Sequence, residues 1–208
     1  MCGFFGKYEV FAHIMPWPDH DQLYQIAESQ AGYFAARQAR TAGFAAERLS
    51  YYHRAGVFER VAHGIYRLKR FPASPYEDLF IALLRTGPHS VISHESALAL
   101  YDLADALPTQ VHITVPRTAS RRRSGIQLHT KKIRASEITD REGLRVTTVP
   151  RTIADVAAAG LAQEFVRQAI QQSIDRGLTT PGELRTASKK YGGRTAPIIG
   201  RALREAEK

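Results

Sequence analysis

Three glycines punctuate residues 33–69, YFAARQARTAGFAAERLSYYHRAGVFERVAHGIYRLK, and this stretch constrains the fold more than any other. Apolar spacing predicts a helix over about 35–42, with Ala36, Ala39 and Ala42 facing inward. Gly43 permits a tight turn, because a residue without Cβ adopts positive φ at little cost. Phe44 anchors a second helix over about 45–55, in which Ala45, Leu49 and Tyr52 recur at i, i+4 and i+7 and form an inner stripe. Gly56 stops that helix. VFERV and IYRLK then alternate on either side of Ala62-His63-Gly64, the pattern of two short strands joined by a tight turn. Two short helices, a glycine turn and a basic hairpin are the parts of a helix-turn-helix with a wing, which can seat one helix in a DNA major groove.

That arrangement nominates particular side chains. Arg48, Ser50, Tyr51 and Arg54 lie off the inner stripe of the second helix. Arginine there can pair bidentately with guanine, and serine and tyrosine can reach phosphates or bases. Arg37 and Gln38, at the front of the preceding helix, sit where phosphate contacts are usual. Arg60, His63 and Arg67 decorate the wing, where they either follow the DNA backbone or guard an exposed strand edge with charge.

Around this module the chain reads as follows. Residues 1–18 form a poorly ordered leader, and Met1 and Met15 are alternative starts. Asp19 or Asp21 caps a first helix that runs to about Gln30. The tract Phe71-Pro72-Ala73-Ser74-Pro75 is a linker in composition, so a DNA-binding domain is expected over 19–70 and a second domain over 75–208. Ser74 and Ser93 are expected to cap helices. VHITVP is expected as a strand, with IQLHTKKI returning beside it, and LRVTTVP as a third strand. TIADVAAAG, FVRQAIQQSIDRG, a segment capped by Thr180 and a basic terminal segment after Gly192-Gly193 are expected as helices. The second domain is therefore expected to be a mixed α+β unit, and the chain as a whole α+β.

The net charge of +9 is unevenly spread. Residues 19–70 carry eight basic and five acidic side chains, whereas residues 117–134 carry Arg117, Arg121, Arg122, Arg123, Lys131, Lys132 and Arg134 with no acid. Arg121, Arg122 and Arg123 are thus candidates for a second phosphate-binding patch. The single cysteine excludes an intrachain disulfide, and no apolar run approaches the length of a membrane span, so a cytoplasmic protein without a membrane partner is expected. No metal or other cofactor is expected: HisGlu at 94–95 lacks the second histidine of a zinc-protease helix, His112 and His129 read as ordinary strand histidines, and no phosphate-cradling glycine loop occurs. The acids show no paired spacing for catalysis, and Asp155 is expected to pair with Arg151 at i, i+4.

Three stretches carry a resemblance to the AbiEi family, antitoxins of bacterial type IV toxin–antitoxin (abortive infection) systems. These are GYFAARQARTAGFAAERLSYYHRAGVFERVAHGIYRL, ISHESALALYDL followed by VHITVP, and VTTVPRTIADVA. Together they span roughly residues 20–160. The resemblance implies a winged helix-turn-helix that binds inverted repeats in double-stranded promoter DNA and represses its own operon. It further implies a second domain that counteracts a nucleotidyltransferase toxin, without requiring a tight complex. The third stretch also resembles winged-helix proteins linked to a Vsr-like endonuclease. Those need a carboxylate and lysine cluster in a longer C-terminal segment, which is not found here, so a non-enzymatic regulator is favoured. A protein-interaction module without DNA binding is the other alternative.

Overall fold

The computed structural model describes residues 17–117, 123–193 and 195–206 and divides the chain into two compact units, 1–74 and 75–208. In the first unit, Asp19 caps α1 (His20–Glu28), its carboxylate accepting from the Gln22 amide at 2.8 Å. The chain then forms β1 (Tyr33–Ala35), α2 (Ala36–Thr41), α3 (Ala46–Arg54), β2 (Phe58–Ala62) and β3 (Ile65–Leu68). The strands make an antiparallel sheet in the order β1-β3-β2. The helix-turn-helix and hairpin expected from the glycines are therefore present, with Gly43 and Gly64 both at positive φ. Tyr33 and Phe34 form a third strand along the wing, in register with Arg67 and Tyr66.

Packing explains that strand. Phe34, Phe44, Leu49, Phe58 and Leu68 share one buried cluster with Leu23, Ala27 and Ala39. The Phe34 and Phe58 rings meet edge to face at 5.2 Å, and Tyr52 stacks on Phe58 at 5.1 Å. Burial of each large side chain of this kind contributes about 1.5–3 kcal/mol, more than three residues gain from strand propensity. Gly32, just before β1, is required on two counts. Its φ is +90°, and an added Cβ would lie 2.5 Å from the Phe71 Cβ.

The second unit contains α4 (Glu77–Thr86), β4 (Val91–Ile92), α5 (His94–Tyr101), β5 (Val111–Thr114), β6 (Ile126–His129), β7 (Ile138–Arg141), β8 (Leu144–Thr147), α6 (Val149–Ala159), α7 (Gln163–Asp175), α8 (Pro181–Tyr191) and α9 (Thr195–Ala206). Its sheet has the order β6-β5-β4-β8-β7, with α5 against β5, α6 against α5, and α7, α8 and α9 packed on one another. The expected helix ends at Gly160 and Gly177 are found. Thr180 caps α8 in a capping box with Glu183, and Pro181 is its first residue.

Three expectations are corrected here. Ser74 does not cap α4, which starts at Glu77 behind Tyr76. Ser93 does stand at the cap position of α5, but its hydroxyl makes no cap bond; it accepts from the Thr114 hydroxyl at 2.8 Å. IQLHTKKI does not return as a hairpin partner. Its ordered part, β6, runs parallel to β5, pairing His112 with Gln127 and Thr114 with His129. A tight turn would enforce antiparallel pairing, but the longer segment 115–125 allows the chain to come back to the same edge. Two short strands, β4 and β7, were not anticipated.

Candidate nucleic-acid interface

Side-chain length decides which of the nominated residues reach the surface of the first unit. On α3, Glu47, Ser50, Tyr51 and Arg54 are all exposed, and their spacing of i, i+3, i+4 and i+7 puts them on one face. Tyr51 is 60% exposed, unusual for so large a ring. Arg48 folds back instead: half-buried, it donates from Nη1 to the Gly43 carbonyl at 2.9 Å and so braces the turn that orients α3. Gln38 is also turned inward. Its Oε1 accepts from the Ala35 amide at 2.8 Å and its Nε2 donates to Gln30 at 3.0 Å, which ties the start of α2 to α1. Arg37 remains exposed on α2.

The wing separates its three candidates by strand parity. Arg60 and His63 are exposed near the hairpin tip and lie 3.1 Å apart, Nη2 to Nδ1. Arg67 faces the other side of the sheet, opposite Glu59, with which it forms an ion pair. It also donates to the Phe71 carbonyl at 2.6 Å and is only 12% exposed, so it holds the segment after β3 rather than decorating the wing. The structure thus brings together Ser50, Tyr51 and Arg54, and separately Arg60 and His63. Glu47 shares that face of α3, where the helical spacing of the sequence also puts it, and sets a negative charge beside Ser50 and Arg54.

In the second unit, Arg123 is half-buried in a bridge to Ile126, while Arg121 and Arg122 lie outside the described residues, as do residues 1–16 of the expected leader. Two polar assemblies occupy its interior. In the first, Arg151 is 2% exposed. It donates from Nε to Asp155 at 2.7 Å, the pairing expected from their spacing, and from Nη1 to Glu137 at 2.9 Å. Glu137 also binds Lys190 and the Tyr191 hydroxyl. Burial alone would raise the Glu137 carboxyl, but the Arg134 amide, Lys190, Tyr191 and Arg151 together hold it at about 2. Arg151 in turn is raised despite its burial by the two carboxylates.

The second assembly joins three histidines that the sequence reading treated as unrelated. His94 stacks on His129 with ring centroids 3.5 Å apart, and His129 Nε2 lies 3.3 Å from His112 Nδ1. Glu95 contacts His112 Nε2 at 2.8 Å. This fixes the proton of His112 on Nε2 and leaves its Nδ1 to accept from His129. Burial pushes His94 down to about 2 and His129 to about 4, with neighbouring imidazoles and Lys131 acting in the same direction. Burial also lowers His112, against the opposing pull of Glu95. His94 and His129 lie face to face with His112 tilted to both, and among the described residues no group of His, Cys, Asp or Glu converges as a metal site. No described helix is long and apolar enough to cross a membrane.

The α2–turn–α3 geometry and the three-stranded wing give the first unit a winged-helix fold with one face of α3 exposed. Residues 21–69 match the family described as "Transcriptional regulator, AbiEi antitoxin", which the first unit resembles over that span. The match accounts for α1 through the end of β3. Among solved structures, the fold is similar to that of the RV2827C protein from Mycobacterium tuberculosis, with a TM-score of 0.53 and 12% sequence identity over 88% of this chain and 75% of that one. No curated protein sequence matches the chain significantly.

Proposed function

We propose that the chain is a DNA-binding antitoxin that represses its own operon and counteracts a nucleotidyltransferase toxin encoded beside it. The observation that carries this reading is the exposed face of α3, together with an exposed wing tip, in the unit matched by an antitoxin-regulator family. Ser50, Tyr51 and Arg54 are the base-reading residues, Arg37, Arg60 and His63 contact the backbone, and Gln38, Arg48 and Arg67 position the elements that carry them. The family is one of regulators rather than enzymes. The target is double-stranded promoter DNA with inverted repeats, which places the protein in the cytoplasm, and the toxin is countered without a required stable complex.

The test is a mobility shift on the DNA upstream of the gene. Arg54→Ala is expected to lose about 1–3 kcal/mol of binding to that DNA and much less on random duplex. An equal loss on both would make Arg54 a phosphate contact. Arg48→Ala is expected instead to lower the melting temperature of the first unit, because it removes the brace on the Gly43 turn. No shift even at low salt would count against DNA binding altogether.

The basic segment of the second unit supplies a further expectation. If Arg121, Arg122 and Arg123 touch phosphates, replacing all three with alanine flattens the salt dependence of DNA binding, by about one unit of slope for each lost contact. An unchanged slope would assign the segment another role. Toxin neutralisation is read separately, by rescue of growth when the chain is co-expressed with the neighbouring gene product.

A further inference from the structure

Because β5 and β6 are parallel, their carboxyl ends leave the sheet at the same edge. Thr114 at the end of β5 and the residues that follow the two strands, 115–117 and 130–133, wall a cavity of about 440 Å³. An antiparallel hairpin would have sent these segments to opposite ends of the sheet.

The chemistry of this cavity is two-sided. Val91, Val115 and Ile138 supply apolar lining, and Arg117, Lys132 and Arg145 supply positive charge. Among the described residues, no carboxylate lines it. Arg145 is held in place by donating to the Pro88 carbonyl. Arg117 and Lys132 are exposed, and among the described residues neither meets an acidic partner. Lys131 also borders the cavity, but its Nζ lies 3.5 Å from Asp155, so its charge is already engaged.

We propose that this cavity binds a nucleoside phosphate, with the base against the apolar wall and the phosphates on Arg117, Lys132 and Arg145. Charge alone would fit any polyanion. The concavity and the apolar lining fit a small ligand with a flat, weakly polar part, and the volume lies in the range of such pockets. A duplex backbone is convex and strongly hydrated, so it would leave that wall without a partner. Arginine provides planar, bidentate phosphate contacts, and Lys132 a mobile point charge beside it. The assignment does not depend on DNA reading by the first unit.

Calorimetric titration of the full chain with ATP, GTP, CTP and UTP tests it, beside inorganic triphosphate and the free nucleosides. At least one nucleotide is expected to bind at a single site, about tenfold or more tighter than either triphosphate or its nucleoside. The double variant Arg117→Glu/Lys132→Glu is expected to weaken that binding by a further factor of about ten or more, which is about 1.4 kcal/mol per decade. Both positions are on the surface, so the fold is retained, as an unchanged circular dichroism melt would verify. Three results would overturn the proposal: no heat with any nucleotide at roughly 1 mM, triphosphate binding as tightly as every nucleotide, or nucleotide affinity unchanged in the variant. If the wild type ignores nucleotides and the variant loses affinity for duplex DNA, the cations belong to a DNA contact and the proposal fails. The mobility shift is independent of these titrations, so failure of one reading is distinguishable from failure of the other.

Discussion

Arg151→Ala is expected to destabilise the second unit by about 3–5 kcal/mol, the loss typical when one member of a buried ion pair is removed. The arginine is enclosed by α6, α8 and the turn before β7. Its Nε bonds Asp155 and its Nη1 bonds Glu137, while Nη1 also reaches the Lys132 carbonyl at 3.3 Å and the Tyr191 hydroxyl at 3.2 Å. The guanidinium carbon lies 4.8 Å from the centre of the Tyr191 ring. Among the described residues, alanine would leave Asp155, 1% exposed, with the half-exposed Lys131 as its remaining counter-charge, and would strip Glu137 of its most buried partner. Desolvated carboxylates without a counter-charge are the source of the cost, more than the attraction that is lost. Arg151→Lys keeps the charge but not the fork that serves two carboxylates at once, so it is expected to fall between wild type and alanine. Urea unfolding followed by hydrogen exchange separates the two units, and amides of the first unit should be unaffected. A loss below about 1 kcal/mol would show that the network contributes little, as surface pairs do.

The sequence exposed some layers of this structure and hid others for identifiable reasons. The helices of the first unit were legible because Gly43 and Gly56 mark their ends and Ala39, Leu49 and Tyr52 mark their inner faces. The α8 cap was legible because Thr180, Pro181 and Glu183 carry its chemistry locally. β1 was not, because its three residues are all buried and show no alternation, and β4 is too short to show any pattern. The parallel pairing of β5 and β6 is set by the length of a connection rather than by residues within either strand. Among the interface candidates, helix and strand periodicity gave the direction of Cα–Cβ bonds, which sufficed for Ser50 and Tyr51. It did not show that Gln38, Arg48 and Arg67 are long enough to bend back to Ala35, Gly43 and Phe71. The histidine cluster was least accessible of all. His94 begins a helix while His112 and His129 lie on different strands, and only the assembled sheet brings them together.

That cluster is expected to make stability fall in mild acid. His94 and His129 have pKa values lowered in the fold to about 2 and about 4, against 6.5 in the unfolded chain. Lowered values mean that the unfolded chain takes up protons first. Stability is therefore fully present above about pH 6.5 and is lost as the pH falls toward the folded values, by about 1.4 kcal/mol per pH unit for each histidine. Two such groups are expected to remove about 4 kcal/mol between pH 7.5 and pH 5, a large share of the roughly 5–15 kcal/mol that holds a typical domain. Glu137 does not contribute in this window. Its carboxyl is lowered from 4.5 to about 2, so the stability it confers is lost only between those values. Urea unfolding at several pH values therefore isolates the histidines between pH 6.5 and pH 5. His129→Gln keeps a donor for His112 Nδ1 but cannot titrate, and is expected to remove about half of the slope while leaving stability at pH 7.5 within about 1–2 kcal/mol of wild type. A wild-type stability that stays flat from pH 7.5 to pH 5 would mean that the rings separate and become solvated without disturbing the unit. The strain at His94 argues against so loose an arrangement. Its φ of +54° is costly for a residue with a Cβ, and packing against His129 and Ser93 is what holds it there.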